Sequence, residues 1–299
     1  MLTDLSYPRG TIDRMGDKQT EPFIGSWAVE AGVMTRWELR KNFARVAPNT
    51  YVPRGHQMDA IDRAKAAVHW TKGQGVLIGR SAAALHGTKW IADDTRAEIA
   101  VRTFRRTPEW ISATQHRIPS ADRCFVGDYP VTTPIRTAFD LSCRLPEHEA
   151  VPVLDALCRA TALTPGAVID FCDQHPGERG CAIARTTLAH VDPGAESPPE
   201  SLTRLCIVNS GLPAPETQIV IRDQFGAFIA RIDMGWREAR VGVEYDGAQH
   251  WTDPAQRTKD IDRIALLEAQ GWRIIRVSAN LLYARPHVFL DRIHQALNR

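Results

Sequence analysis

The stretch VGVEYDGAQHW, residues 241–251, decides how the rest of the chain is read. Val241, Gly242 and Val243 are the apolar or small residues of a buried strand. That strand then runs into Glu244, Tyr245, Asp246 and Gly247, with His250 and Trp251 after them. Side chains two apart on a strand leave the same face, so Glu244 and Asp246 project together. A buried strand ending in two carboxylates needs a partner for their charge.

The flanking sequence supplies further acids. TQIVIRDQFGAFIARIDMGW (217–236) reads as a hairpin, two β-rich runs around Asp223-Gln224-Phe225-Gly226. Phe228, Ala230, Ile232 and Met234 are assigned to one face of its second strand, and Ile229, Arg231 and Asp233 to the other. A short turn at REAR (237–240) then brings Asp233 beside Glu244. Upstream, PPESLTRLCIVNSGL (198–212) is a helix with Gly211 as its stop and Glu200 in the first turn, where an acid also suits the helix dipole. Three or four carboxylates on one patch repel, which raises a pKa unless a cation intervenes. Two cations meet that need: an arginine, Arg231 or Arg276, making a salt-bridged sheet end, or a Mg²⁺ or Mn²⁺ ion, which takes oxygen ligands. An ion so held can activate water and offset charge on a phosphodiester. Downstream, 251–277 reads as a helix capped by Asp253 and stopped by Gly271, then the strand WRIIRV; Arg257, Lys259 and Arg263 of the helix are placed to reach a phosphate backbone. PHVFLDRIHQAL (286–297) closes as an amphipathic helix.

Composition excludes several classes. At 43% hydrophobic and 24% charged, with no apolar run near the roughly 20 residues of a membrane span, the chain reads as a soluble, cytoplasmic protein. The first 22 residues have no apolar h-region and read as a flexible leader. None of the six cysteines forms a C-x-x-C pair, so they read as reduced packing residues rather than zinc ligands. The net charge of +2 is uneven: residues 1–130 carry 19 Lys and Arg against 14 Asp and Glu.

That basic excess includes 23–57. FIGSWAVEAGVMTRWELRKNFARVAPNTYVPRG reads as a helix, a turn at Gly32, a second helix capped by Thr35, and a hairpin turning at Pro48-Asn49, together a small winged helix-turn-helix. Arg36, Arg40, Lys41, Arg45 and Arg54 cluster across its second helix and wing, as a DNA-contacting face or as a solvated basic one. Residues 58–190 read as a mixed α/β support region without catalytic spacing. It contains a helix at 58–73, a strand at 75–79, a short helix at 80–87 capped by Ser81, a strand at 97–106, and helices from 131 onward broken at Thr164-Pro165 and His175-Pro176. His86 is taken as a packing residue bonded to backbone. VDPGAESPPES (191–201) is the main punctuation. The expected organisation is a leader (1–22), a winged helix (23–57), a support domain (58–190), a linker (191–196) and an acid-bearing domain (197–299), α/β in class and α+β overall.

Helix, hairpin, strand, helix, strand and helix with acids at one sheet end resembles the core of the PD-(D/E)XK nucleases. SPPESLTRLCIVNSGLPAPETQ, ARIDMGW, VGVEYDGAQHW and RTKDIDRIALLEAQGWRIIRV together resemble the family related to very-short-patch-repair (Vsr) endonucleases. The resemblance implies a restriction-endonuclease-like fold, a divalent metal and DNA, double-stranded, as substrate. It makes Glu200 the helix acid, Asp233 the acid of the "PD" motif and Glu244 the first acid of "(D/E)XK". Asp246 stands where that motif has lysine. It is assigned as an additional metal ligand, with His250 handling a proton or supporting a carboxylate. GVMTRWELRKNFARVAPNTYVPRG, GRSAAALHG and VTTPIRTAFDLS resemble the winged-helix regulator of AbiE toxin–antitoxin systems, which implies operator binding, with a cognate toxin or a second copy as partner. The expected function is metal-dependent DNA cleavage or nicking in defence or repair. The alternative is a DNA-binding regulator or antitoxin on an inactive nuclease fold, and an RNA-directed nuclease is a third reading.

Overall fold

The computed structural model describes residues 20–103, 106–247 and 254–298, with side chains described from 262 onward in the last of these. Among the described residues the chain is mixed α/β, with three sheets and twelve α-helices, none long and apolar enough to cross a membrane.

The first sheet is built by β1 (Phe23–Ile24), β2 (Phe43–Ala47) and β3 (Thr50–Pro53) in the order β1-β3-β2, with α1 (Gly25–Glu30) and α2 (Arg36–Asn42) between the first two strands. Thr35 begins α2 through a reciprocal capping box with Glu38, satisfying two helix-end donors at once. The hairpin turns at Asn49, whose φ of 60° is one that asparagine tolerates. Phe23, Ala28 and Leu39 form the small core.

The second sheet has the order β6-β5-β4-β8-β7. Its chain runs α3 (Ala60–Trp70), β4 (Val76–Leu77), α4 (Gly79–Leu85), β5 (Ala97–Val101), β6 (Ile111–Gln115), β7 (Arg123–Val126) and β8 (Tyr129–Thr132). A bundle follows: α5 (Pro134–Arg144), α6 (Glu147–Thr161), α7 (Pro165–Gln174) and α8 (Cys181–Leu188). The breaks at Pro165 and after His175 lie where proline forbids helix continuation. Two readings need correction. The helix expected at 80–87 begins at Gly79, and the Ser81 hydroxyl accepts the Glu98 backbone N–H instead of capping it. Glu98 itself accepts the Arg80 N–H, and a Cβ on Gly79 would lie 1.7 Å from its Oε2. The strands at 123–126 and 129–132 lack the alternation that announces a strand, and the one at 111–115 alternates only over Ile111 to Thr114. His86 does bond backbone, at 2.7 Å from the Thr132 carbonyl oxygen.

The third sheet carries the acids. Helix α9 (Pro198–Asn209) precedes β9 (Glu216–Arg222), β10 (Phe228–Trp236) and β11 (Val241–Asp246). Then α10 (Pro254–Ala269) crosses over to β12 (Arg273–Ser278), which lies parallel to β11, and α11 (Ala279–Tyr283) and α12 (Pro286–Leu297) follow. The strand order is β12-β11-β10-β9. Ala230, Ile232 and Met234 are buried as the alternation requires. Phe228 is exposed instead, because a register shift between Phe228 and Ala230 breaks the alternation there. Gly242 lets the sheet close: a Cβ there would meet Ile274 at 2.7 Å and Ile232 at 2.9 Å.

The stretch read as a linker is tightly held. Asp192 takes the Thr217 hydroxyl at 2.9 Å, its own N–H donates to Asp155 at 2.7 Å, and Arg159 donates to the carbonyls of Pro193 and Gly194. Beside it the buried Arg204 of α9 donates to Asp155 of α6 at 2.7 Å, tying the third sheet's first helix to the bundle.

Candidate functional site

Antiparallel pairing of Met234 with Val243 puts Asp233 opposite Glu244 one step further along the ladder. The Tyr245 N–H donates to Asp233 Oδ2 at 3.0 Å, which orients that carboxyl across the strands. Glu200 reaches the same patch from the first turn of α9. Its Oε1 accepts the Ser197 hydroxyl at 2.8 Å, and its Oε2 accepts the Glu196 N–H at 2.8 Å and the Gln218 side-chain amide at 3.2 Å. The Asp233 carboxyl is pushed up to about 7, by burial first and by the charges of Glu200 and Glu244, against the Tyr245 N–H and Arg263.

Arginines answer the other two acids. Glu244, only 7% exposed, holds Arg263 in a two-point contact of 2.6 and 3.0 Å. Asp246 pairs with Arg276 at 3.0 Å. Arg231 instead turns to Glu196 at 2.7 Å. Asp233, Glu244, Asp246, Arg263 and Arg276 line one cleft of about 510 Å³, with Phe228 at its edge. Asp233 is the acid in this cleft without an arginine ion pair among those described.

The other expected site residues divide. Arg36, Arg40, Lys41 and Arg45 are exposed on α2 and β2, with Lys41 lying 4.5 Å from the centre of the exposed Trp37 ring. Arg54 is committed to structure, donating to the carbonyls of Lys41 and Arg40 at 2.8 Å each and so capping the end of α2. Arg263, expected at a phosphate, is spent on Glu244. His250 and the side chains of Arg257 and Lys259 lie outside those described.

The sheet, its crossover helix and its acids place this region beside known proteins. Residues 215–297 match the restriction-endonuclease-like family model REase_MTES_1575. The chain thus carries a nuclease-like domain toward its C-terminal end, and α9 with Glu200 lies ahead of the matched residues. Two relatives from Mycobacterium tuberculosis, "Uncharacterized protein MT2308" of strain CDC 1551 / Oshkosh and "Uncharacterized protein Rv2248" of strain ATCC 25618 / H37Rv, are 28% identical over 272 residues, covering 89% of this chain and 98% of each relative. "Uncharacterized protein YcjD" of Escherichia coli strain K12 is 38% identical over 74 residues, 25% of this chain and 59% of that protein. No solved structure matches the chain significantly.

Restriction-endonuclease-like domains typically use divalent metals, so the fit of this one can be tested. Among the described residues, no group of three or more His, Cys, Asp or Glu side chains is arranged to hold an ion. In kind, however, the donors fit a hard cation. They are carboxylate oxygens, one carboxyl is pushed toward protonation by burial and by its acidic neighbours, and the buried Gln218 Oε1 beside Glu200 has no hydrogen-bond partner. What closes the patch is the Arg263 guanidinium on both oxygens of Glu244. Sequence reasoning missed Gln218 and the pairing of Arg263. Gln218 sits at a φ of 51° within a strand, and no residue pattern announces that conformation. Arg263 is one of three cations on its helix until α10 is docked.

Proposed function

We propose that the protein is a metal-dependent DNA endonuclease or nickase. The observation that carries this reading is Asp233, a half-buried carboxyl within the restriction-endonuclease-like segment, raised by the charges of Glu200 and Glu244 at a sheet end. Glu200, Asp233 and Glu244 would hold Mg²⁺ or Mn²⁺, with Asp246 assisting. A divalent ion there supplies Lewis acidity toward the phosphodiester. The chain's own residues do the positioning. The Tyr245 N–H aims Asp233, while Ser197, the Glu196 N–H and Gln218 hold the Glu200 carboxylate. Arg263 must yield Glu244 for the set to assemble, and a guanidinium released beside the cleft is suited to a phosphate. The basic face of α2, through Arg36, Arg40 and Lys41 with Arg45 of β2, would bring DNA to the chain as a winged helix does. We take residues 23–57, 58–190 and 197–299 as the corresponding units. His250, Arg257 and Lys259 remain assigned to proton handling and phosphate contact.

A plasmid-nicking assay with Mg²⁺ or Mn²⁺ tests this. Metal-dependent nicking should disappear in Asp233→Ala and Glu244→Ala. A second reading, an operator-binding regulator or antitoxin with a silent nuclease fold, is favoured by one observation: Asp246 and Glu244 are neutralised by arginines rather than accompanied by the motif lysine. DNA binding that survives both substitutions, without cleavage of any DNA form, would select it.

A further inference from the structure

We propose that Trp90 is a stacking platform for a single unpaired base of the nucleic acid handled at the carboxylate cleft, an inference that rests on the nuclease reading above. Trp90 takes a φ of 69°, a conformation that glycine or asparagine adopts easily and a bulky aromatic seldom does. Burial does not compensate, since the residue is 61% exposed. Neither the turn nor the core therefore accounts for a tryptophan here. Backbone strain held at an exposed aromatic is the kind that concentrates at ligand sites.

The surroundings suit a base. Trp90 and Lys89 lie between two clefts and line both. One, of about 280 Å³, is floored by Pro152, Ala156 and Ala160 of α6, with Arg159 at its rim. The other, of about 420 Å³, opens toward α3. The smaller cleft has room for one planar ring system, not for the hundreds of square ångströms a protein partner covers. An indole with small apolar neighbours matches a base, with Lys89 as the cation beside it for a phosphate while Arg159 is held by Glu196 and by the carbonyls of Pro193 and Gly194, and stacking of this kind tolerates any base.

The position is also continuous with the acids. Glu196 and Ser197 line the smaller cleft, and both hold the carboxylate of Glu200, through the Glu196 N–H and the Ser197 hydroxyl. The Glu196 carboxylate is shared by Arg159 at 3.5 Å and Arg231 at 2.7 Å, and Arg231 lines the carboxylate cleft.

The test is fluorescence anisotropy of the full chain in EDTA, with labelled duplex DNA and the same duplex carrying a short unpaired gap. Trp90→Ala should weaken binding to gapped DNA by about 10-fold and leave the duplex unchanged, while Trp90→Phe stays near wild type. Trp90→Gly relieves the positive φ, so its loss of gapped-DNA binding at undiminished thermal stability excludes misfolding. Wild-type affinity in both the Ala and Gly variants, or equal losses on both DNAs, overturns the proposal while leaving the nuclease reading intact. So does a change of oligomeric state on Trp90→Ala with unchanged DNA affinity. If the wild-type protein binds neither DNA, the proposal and the nucleic-acid reading fall together.

Discussion

Replacing Asp233 by asparagine isolates the electrostatic cost of the acid cluster. The Asp233 carboxyl stands at about 7 in the folded protein against 3.8 for an ordinary aspartate. The sign follows from proton counting. Between roughly pH 4 and 7 the folded state binds the proton and the unfolded state does not, so stability falls as pH rises through that window and levels above it. At about 1.4 kcal/mol per unit, and with the carboxyl half-titrated at pH 7, the cost grows by about 2 kcal/mol between pH 5 and pH 7 and reaches about 4 kcal/mol in all once the group is fully ionised. An asparagine at this position would keep an oxygen for the Tyr245 N–H and carry no charge, so Asp233→Asn removes the titration with little loss of contact. The assay is urea denaturation of both proteins in EDTA at pH 5, 6, 7 and 8. The wild type should lose about 2 kcal/mol relative to Asp233→Asn between pH 5 and 7, with less than about 0.5 kcal/mol of further divergence by pH 8. Parallel pH profiles would refute the reasoning, because neither burial nor the like charges of Glu200 and Glu244 would then raise Asp233. Millimolar Mn²⁺ at pH 8 should stabilise the wild type selectively, since a ligand binding only the folded state adds to stability.

Other perturbations give separate readouts. Arg263→Ala strips the two-point contact from the buried Glu244 and should cost about 2 kcal/mol without metal, with Mn²⁺ restoring more stability in the variant than in the wild type by thermal shift. Arg204→Met leaves Asp155, 1% exposed, without its 2.7 Å partner and should cost about 3–5 kcal/mol in chemical denaturation. Adding Asp155→Leu should recover only part of that loss, because it also leaves the Asp192 N–H without its acceptor. Gly79→Ala places a Cβ 1.7 Å from Glu98 Oε2 at a φ of 53° and should cost about 2 kcal/mol, read as a lowered melting temperature. Thr35→Ala opens the capping box of α2 and should cost about 1 kcal/mol by urea denaturation.

Sequence alone determined the elements whose signals are local. Thr35 marks a helix start because its hydroxyl can accept the free backbone N–H of Glu38 in the first turn. Gly211, Gly226 and Gly271 mark turns because their φ values of 81–84° suit glycine. The β9–β10 hairpin, β11 and β12 follow from β-rich runs bounded by such turns, and period-two alternation on β10 was enough to bring Asp233 beside Glu244. The five-stranded sheet was not legible in the same way. Its strands between 111 and 132 are short, and β6 and β8 find β5 and β4 only across the chain. The site divides along the same line. That acids gather at one sheet end could be read from strand geometry. Which cation meets each acid could not, because a guanidinium finds its carboxylate only once α10 and β12 are packed. Tertiary structure therefore decided that Arg263 takes Glu244, that Arg276 takes Asp246, and that Arg231 turns to Glu196. Asp233 is left with burial and two like charges, a balance set by distances across three separate elements that no residue pattern along the chain encodes.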